Sequence, residues 1–121
     1  RVVFDNCKLL GTSFVNSSLK DVTFSGSNSK YTNFFASSLN NIEIIDGNFS
    51  NSIFTESKIK NISLYNSTFT ETEFIKTNLK DIDFSTCNIE RIVFDIDSLK
   101  GIKINILQAS DIISLLGVQI K

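Results

Sequence analysis

Four residue types are missing from this sequence, which contains no proline, no tryptophan, no histidine and no methionine. Without histidine, the chain lacks the commonest general base and a common zinc ligand of proteins. Long apolar runs are missing as well, since none approaches the ~18 residues that a membrane-spanning helix requires. We therefore expect a protein that is not an enzyme, has no catalytic residues, binds neither cofactor nor metal, and does not enter a membrane.

Neither sign of charge dominates, because 12 basic residues stand against 13 acidic ones in a chain of 121 residues. Such a balance does not favour direct binding to nucleic acid or to a membrane surface. The absence of an initiator methionine predicts that the chain is a processed product or a segment of a longer protein.

The sequence does contain a repeat. The phrase LKDVTF at residues 19–24 returns as LKDIDF at residues 79–84, and weaker copies recur every 20 residues. Within that period, every fifth residue from Phe4 to Ile104 is large and apolar except Ser29, and the residue two positions before it is small or β-branched except Asp97. Neither a helix nor a single strand keeps such residues on one face. A chain that turns a corner after every five residues does, and four corners close a square coil.

These units resemble the pentapeptide-repeat family, whose five-residue repeat A(D/N)LXX centres on a large apolar residue, over residues 2–104. The resemblance implies an all-β solenoid, a right-handed quadrilateral β-helix of about five coils at residues 1–105, whose coils stack at the ~4.8 Å strand spacing. Residues 106–121 follow as a short C-terminal α-helix cap and possible dimerisation tail.

The tail breaks the five-residue register. Its apolar pattern predicts a helix of about ten residues that starts near Leu107, with Gly117 as a left-handed C-terminal cap. The ending Q-x-x-x…LLG-V-x-I also resembles that of quinolone-resistance (Qnr) members of the family, which implies a homodimer. The candidate dimer residues are Ile112, Ile113, Leu115, Leu116, Val118 and Ile120.

The outward positions of the predicted coils differ between sides. The side centred on Leu19 has no outward apolar residue, and a ladder of four lysines runs along it: Lys20, Lys60, Lys80 and Lys100. The side centred on Phe14 places apolar residues outward, and these form a candidate interface: Val15, Phe35, Ile53, Ile75, Val93 and Ile96. An interaction surface explains this clustering, and so does the tolerance of exposed strands for β-branched residues.

Three kinds of inward residue depart from the apolar pattern. Cys7 and Cys87 lie four coils apart, about 19 Å, too far for a disulfide, and we expect buried free thiols in a reducing compartment. Asp97 is predicted to point inward, as a functional carboxylate or, in preference, as a hydrogen-bonded turn residue. Ser29 predicts a small void or a bound water, partly filled by Phe49, rather than a ligand pocket.

These observations favour a non-catalytic module for protein–protein interaction or scaffolding, one form of which is a segment of a larger bacterial protein or effector. Its partner is another protein or a second copy of the chain. The resemblance implies an alternative, a DNA mimic that binds the type II topoisomerases DNA gyrase and topoisomerase IV, although the lysines argue against it. The bacterial cytoplasm is the expected location, with secretion as an effector the alternative.

Overall fold

The computed structural model describes residues 1–118 and winds them into a stack of coils. β1 (Val2–Asp5), β2 (Ser18–Ser25), β3 (Ser38–Ile45) and β4 (Lys58–Tyr65) form a parallel sheet in that order. β5 (Glu73–Phe74) and β6 (Val93–Phe94) form a second parallel pair. Paired residues are 20 apart in sequence, as in Val22 with Ile42. The prediction of an all-β solenoid of about five coils with a short C-terminal helix is therefore confirmed.

Phenylalanine rings fill the interior at the spacing of the coils. Phe14, Phe34, Phe54 and Phe74 form one stack, with neighbouring ring centroids 4.8 to 5.3 Å apart. Offset stacking at this distance is favourable for aromatic rings, and it repeats because each coil contributes one ring. The five-residue period thus specifies the hydrophobic core.

Inward serines and threonines form a second repeating contact. The Ser57 hydroxyl donates to the Phe34 carbonyl oxygen at 2.6 Å, and the Thr72 hydroxyl donates to the Phe49 carbonyl oxygen at 2.8 Å. In each case the acceptor lies 23 residues earlier, on the preceding coil. Because buried hydroxyls need a hydrogen-bond partner, this contact explains why polar residues occupy inward positions next to the phenylalanines.

The corners use a left-handed backbone. From Asn6 to Arg91 every fifth residue has a φ between 47° and 69°, with Thr86 as the exception. Asparagine and glycine tolerate this conformation best, and they occupy many of these corners. The repeat therefore encodes its corners as well as its core.

The ladder of backbone hydrogen bonds is interrupted once along one edge of the stack. At residues 20–21, 40–41 and 60–61 the chain passes the corner within a continuous strand, whereas Lys80–Asp81 form a turn that Ile82 N closes by donating to Leu79 O at 3.1 Å. An extended corner and a closed turn do not stack in register. Within residues 1–118, no backbone–backbone hydrogen bond joins residues 58–66 to residues 78–86. We call this interruption the seam.

The predicted inward position of Asp97 is wrong. At the short helix α1 (Ile96–Leu99) the chain is shifted locally by one residue, so that Ser98 takes the inward place and is only 3% exposed, and the register of 20 returns where Asp83 pairs with Lys103. Its hydroxyl accepts from Thr77 N at 3.0 Å across 21 residues, where the equivalent contact of Ser37 with Ser17 N spans 20. Asp97 instead lies in solvent, 2.9 Å from the Lys100 ammonium.

The prediction of two buried thiols is half right. Both cysteines are free and Cys87 is buried, but Cys7 is only partly buried. Cys7 lies in the first coil of residues 1–118, which within that range pairs only with the coil that follows it. Its partial exposure follows from that position.

Candidate functional site

The C-terminal helix α2 (Ile106–Leu115) closes the end of the stack. Asn105 and Gln108 form a capping box at its start, with Gln108 N donating to Asn105 Oδ1 at 3.0 Å and Asn105 N donating to Gln108 Oε1 at 2.8 Å. At its end, Gly117 N donates to Ser114 O and Val118 N to Ile113 O, with Gly117 at φ +78°. The predicted helix of about ten residues and its left-handed glycine cap are confirmed.

Gln108 holds this helix against the last coil. Its side-chain nitrogen donates to Phe84 O at 2.8 Å and to Cys87 O at 2.6 Å, and the side chain is buried. Buried amides are costly unless they are hydrogen-bonded, and here both ends of the amide have partners. Gln108 therefore fixes the position of α2 relative to the solenoid.

Where α2 ends, it borders a groove of about 440 Å³ on the last coil. Val93 and Ile96 line it from the coil, and Leu115 and Leu116 line it from the end of the helix. We call it the C-terminal groove. It brings together residues from both candidate sets of the sequence, the outward apolar side and the tail.

The other members of the candidate interface lie elsewhere. Val15 and Phe35 are exposed near the start of the stack, and Ile53 and Ile75 are partly buried. Glu73 lies between Ile53 and Val93 in their column of paired residues. The six residues therefore do not form one continuous apolar strip, and their role as an interface stays a prediction.

The tail residues divide in the same way. Ile112 and Ile113 are partly buried, and Ile112 packs on the core, whereas Leu115, Leu116 and Val118 are exposed. Ile120 lies outside the described residues. The sequence pattern missed Ile106 and Leu107, which are 86% and 80% exposed at the start of α2. The one sequence feature that marks these two residues is their position just before Gln108, the first buried residue of the helix.

Arg91 and Asp95 are the charged residues that line the groove, and Arg91 is paired with two carboxylates. Arg91 Nε lies 3.1 Å from Glu71 Oε1, and Arg91 also pairs with Glu90 at 3.5 Å. A hydrogen bond from Asn51, together with the Arg91 contact, holds the pKa of Glu71 below its usual value. An apolar floor with a paired, polar rim is the usual composition of a protein–protein interface.

No group of three or more acidic or cysteine side chains comes together in residues 1–118 in a way that could hold a metal ion. Burial raises the pKa of the Cys87 thiol, which lowers its thiolate fraction and hence its reactivity. Among the helices described, none is long and apolar enough to cross a membrane.

Comparison with known families agrees with this geometry. Residues 1–68 match the model of a pentapeptide repeat region, and residues 53–91 match the model of pentapeptide repeats in 8 copies. The chain therefore belongs to the pentapeptide-repeat family, whose proteins are generally structural or interaction modules. No curated protein sequence matches the chain at a significant level.

Solved structures support the fold alone. HetL, a pentapeptide repeat protein involved in heterocyst differentiation regulation in Nostoc sp. strain PCC 7120, superposes with a TM-score of 0.70 at 13% identity, over 84% of this chain and 46% of HetL. The chain thus spans less than half the length of HetL. QnrB1, a plasmid-mediated fluoroquinolone resistance protein, aligns over 99% of this chain and 98% of its own at 12% identity, with a TM-score of only 0.34. A thylakoid-lumen pentapeptide repeat protein of Arabidopsis thaliana gives 17% identity over 83% of this chain and 82% of its own, also at 0.34.

Proposed function

We propose that the chain is a non-catalytic protein–protein interaction module whose C-terminal groove binds a second copy of the same chain. The observation that carries the proposal is the meeting of Val93, Ile96, Leu115 and Leu116 in one groove. The exposed side chains of Ile106, Leu107 and Val118 extend apolar surface over the same end of the stack. Contiguous exposed apolar surface of this kind marks interaction sites in soluble proteins.

A second copy is the partner that this position favours. The apolar surface lies at one end of the stack, so two copies related by a two-fold axis would each supply the same residues and close the assembly. Such a contact also covers the exposed leucines of both helices at once. The resemblance of the tail to that of Qnr proteins supports the same partner.

We do not extend the proposal to a DNA mimic. Lys20, Lys60, Lys80 and Lys100 are all exposed along one side of the stack. A protein that binds the DNA phosphate backbone has a positively charged binding surface, and these lysines would repel that surface.

Sedimentation equilibrium over a range of concentrations tests the dimer. We expect the wild type to dimerise, and Ile96→Asp to weaken association about a hundredfold, since the dimer would have to bury an unpaired carboxylate. Leu116→Asp should act in the same direction from the helix side of the groove.

Leu10→Asp is the matched control, because Leu10 is 59% exposed but lies in the first coil. It should leave the wild-type association constant unchanged, and circular dichroism should show that all three variants keep the wild-type fold. A wild type that remains monomeric at every concentration, or a dimer that neither groove variant weakens, would overturn the proposal.

A further inference from the structure

The seam borders a polar groove on the lysine side of the stack. This groove has a volume of about 490 Å³, and its lining includes Lys60, Asn61 and Ser63 of β4 together with Lys80 and Asp81 of the next coil. A much smaller apolar void of about 10 Å³ lies on the inner side of the same seam, lined in part by Ile59 and Ile62. The two coils are thus separated both outside and inside at this edge.

The seam leaves backbone donors without their usual acceptors. On intact edges, the inward apolar residue donates its N–H to the next coil, as Phe54 N does to Glu73 O at 2.8 Å, and the left-handed corner residue does so as well, as Glu56 N does to Ile75 O at 2.9 Å. At the seam, the corresponding donors are Ile59 N and Asn61 N, and within residues 1–118 neither donates to a backbone oxygen of the next coil. Unpaired backbone N–H groups are hydrogen-bond donors that a bound anion can satisfy.

Charge reinforces these donors. Neither Lys60 nor Lys80 forms an ion pair within the described part of the chain, and both side chains are exposed beside the groove. The stem of Lys80 lies against Gly101, where an added Cβ would stand 2.9 Å from Lys80 Cγ, so the glycine allows the lysine to lie along the stack. Asp81 is the single carboxylate among the lining residues, which leaves the groove with an excess of positive charge.

The rest of the coil limits the size of any ligand that can bind in this groove. Residues 54–56 and 69–71 remain bonded to the following coil, for example through Phe69 N and Asn88 O at 2.8 Å. A peptide strand inserted at the seam would have to lie about 4.8 Å from each of the two coils. The coils cannot separate that far, because hydrogen bonds hold them together on their other sides. The groove therefore suits a small ligand and not a peptide strand.

We propose that the seam is a binding site for a small oxyanion of the phosphate or carboxylate class. The anion accepts hydrogen bonds from Ile59 N and Asn61 N while the Lys60 and Lys80 ammonium groups compensate its charge. Charge-assisted hydrogen bonds of this kind are about twice as strong as neutral ones.

Amide NMR spectra during titration with inorganic phosphate, with citrate in a parallel arm, test this proposal against sodium chloride at equal ionic strength. We expect saturable shifts at the amides of Ile59 and Asn61, with the amides of Leu19 and Asp21 two coils earlier unaffected. The arm that saturates at lower concentration distinguishes phosphate from carboxylate. Hydrogen exchange without anion should be faster at Ile59 than at Leu39, and it should slow when the anion binds.

Variants distinguish binding at the seam from a general attraction of anions to lysine side chains. Lys60→Gln and Lys80→Gln should each weaken binding about fivefold, the loss expected for one partly exposed charge. Lys20→Gln is the matched control, because Lys20 belongs to the same column beside an intact ladder, and it should have no effect. Asp81→Asn should tighten binding by removing the one repelling charge.

Three results would overturn the proposal. Shifts that grow without saturation or appear equally with chloride would show only a diffuse ion atmosphere. A loss of affinity in Lys20→Gln equal to that in Lys60→Gln and Lys80→Gln would also show only a diffuse ion atmosphere. Protection of the Ile59 amide equal to that of Leu39 without anion would show that the ladder is closed and that no site exists.

Discussion

At the scale of single residues, Ser29 is the interruption in the column of large inward side chains. Phe49, which follows Ser29 in this column, packs on Phe24 at 5.6 Å and on Phe34 at 6.3 Å between centroids. Ser29 Oγ itself is fully buried and has no hydrogen-bond partner among the described residues.

Ser29→Ala should therefore stabilise the protein by about 1 kcal/mol, because it removes a buried hydroxyl that makes no hydrogen bond. Ser52→Ala is the matched comparison, since Ser52 is equally buried but its hydroxyl donates to Ser29 O at 2.9 Å and accepts from Thr32 N at 3.1 Å. That variant should lose about 1 kcal/mol or more. Urea unfolding of both variants measures the difference, and a destabilised Ser29→Ala would contradict the assignment.

At the scale of structural elements, the carboxylate of Asp95 stabilises the short helix α1. Asp95 Oδ1 accepts from the Ser98 hydroxyl and from Lys76 N at 2.9 Å. These two hydrogen bonds, that from Ser98 first, hold the pKa of Asp95 below its usual value. The carboxylate replaces a backbone acceptor at the place where α1 shifts the register locally by one residue.

This assignment predicts a pH dependence with a definite sign. Because the folded-state pKa of Asp95 is lowered, its contribution to stability is present above the usual aspartate pKa of about 4 and is lost as the pH falls through the folded value. Urea midpoints measured from about pH 6 to about pH 2 should fall less steeply for Asp95→Asn than for the wild type. Asp97→Asn, which alters an exposed carboxylate on the same helix, should follow the wild-type curve.

The attachment of α2 depends in the same way on Gln108. Gln108→Ala should destabilise the protein by about 2–3 kcal/mol, since it removes half of the capping box and leaves buried carbonyl groups unpaired. Ser110→Ala, an exposed substitution on the same helix, should change the free energy of unfolding by less than about 0.5 kcal/mol. Chemical denaturation of the two variants makes the comparison, and equal stabilities would show that α2 is not anchored through this amide.

At the scale of the whole molecule, the sequence predicts the stack of coils because each inward position repeats independently of its neighbours. It does not predict the seam. Lys20–Asp21 and Lys80–Asp81 are the same dipeptide in nearly the same phrase, yet the first lies in a strand and the second in a turn. The local sequence therefore does not encode the difference.

The candidate site was predictable only in part, for a similar reason. The repeat indicates which residues face outward, so Val93 and the tail leucines could be chosen from the sequence. The groove itself requires the position of α2, which depends on contacts of Gln108 across 21 and 24 residues. Ile106 and Leu107 were missed because an apolar helical pattern normally indicates burial.

The central claim is that two copies meet through the C-terminal groove, and isotope-filtered NOE measurements on a mixture of labelled and unlabelled chains test it most directly. We predict intermolecular NOEs from the methyl groups of Ile96, Leu115 and Leu116, and none from Leu10 in the first coil. A spectrum without intermolecular NOEs, or with NOEs confined to Val15 and other residues near the start of the stack, would contradict the claim.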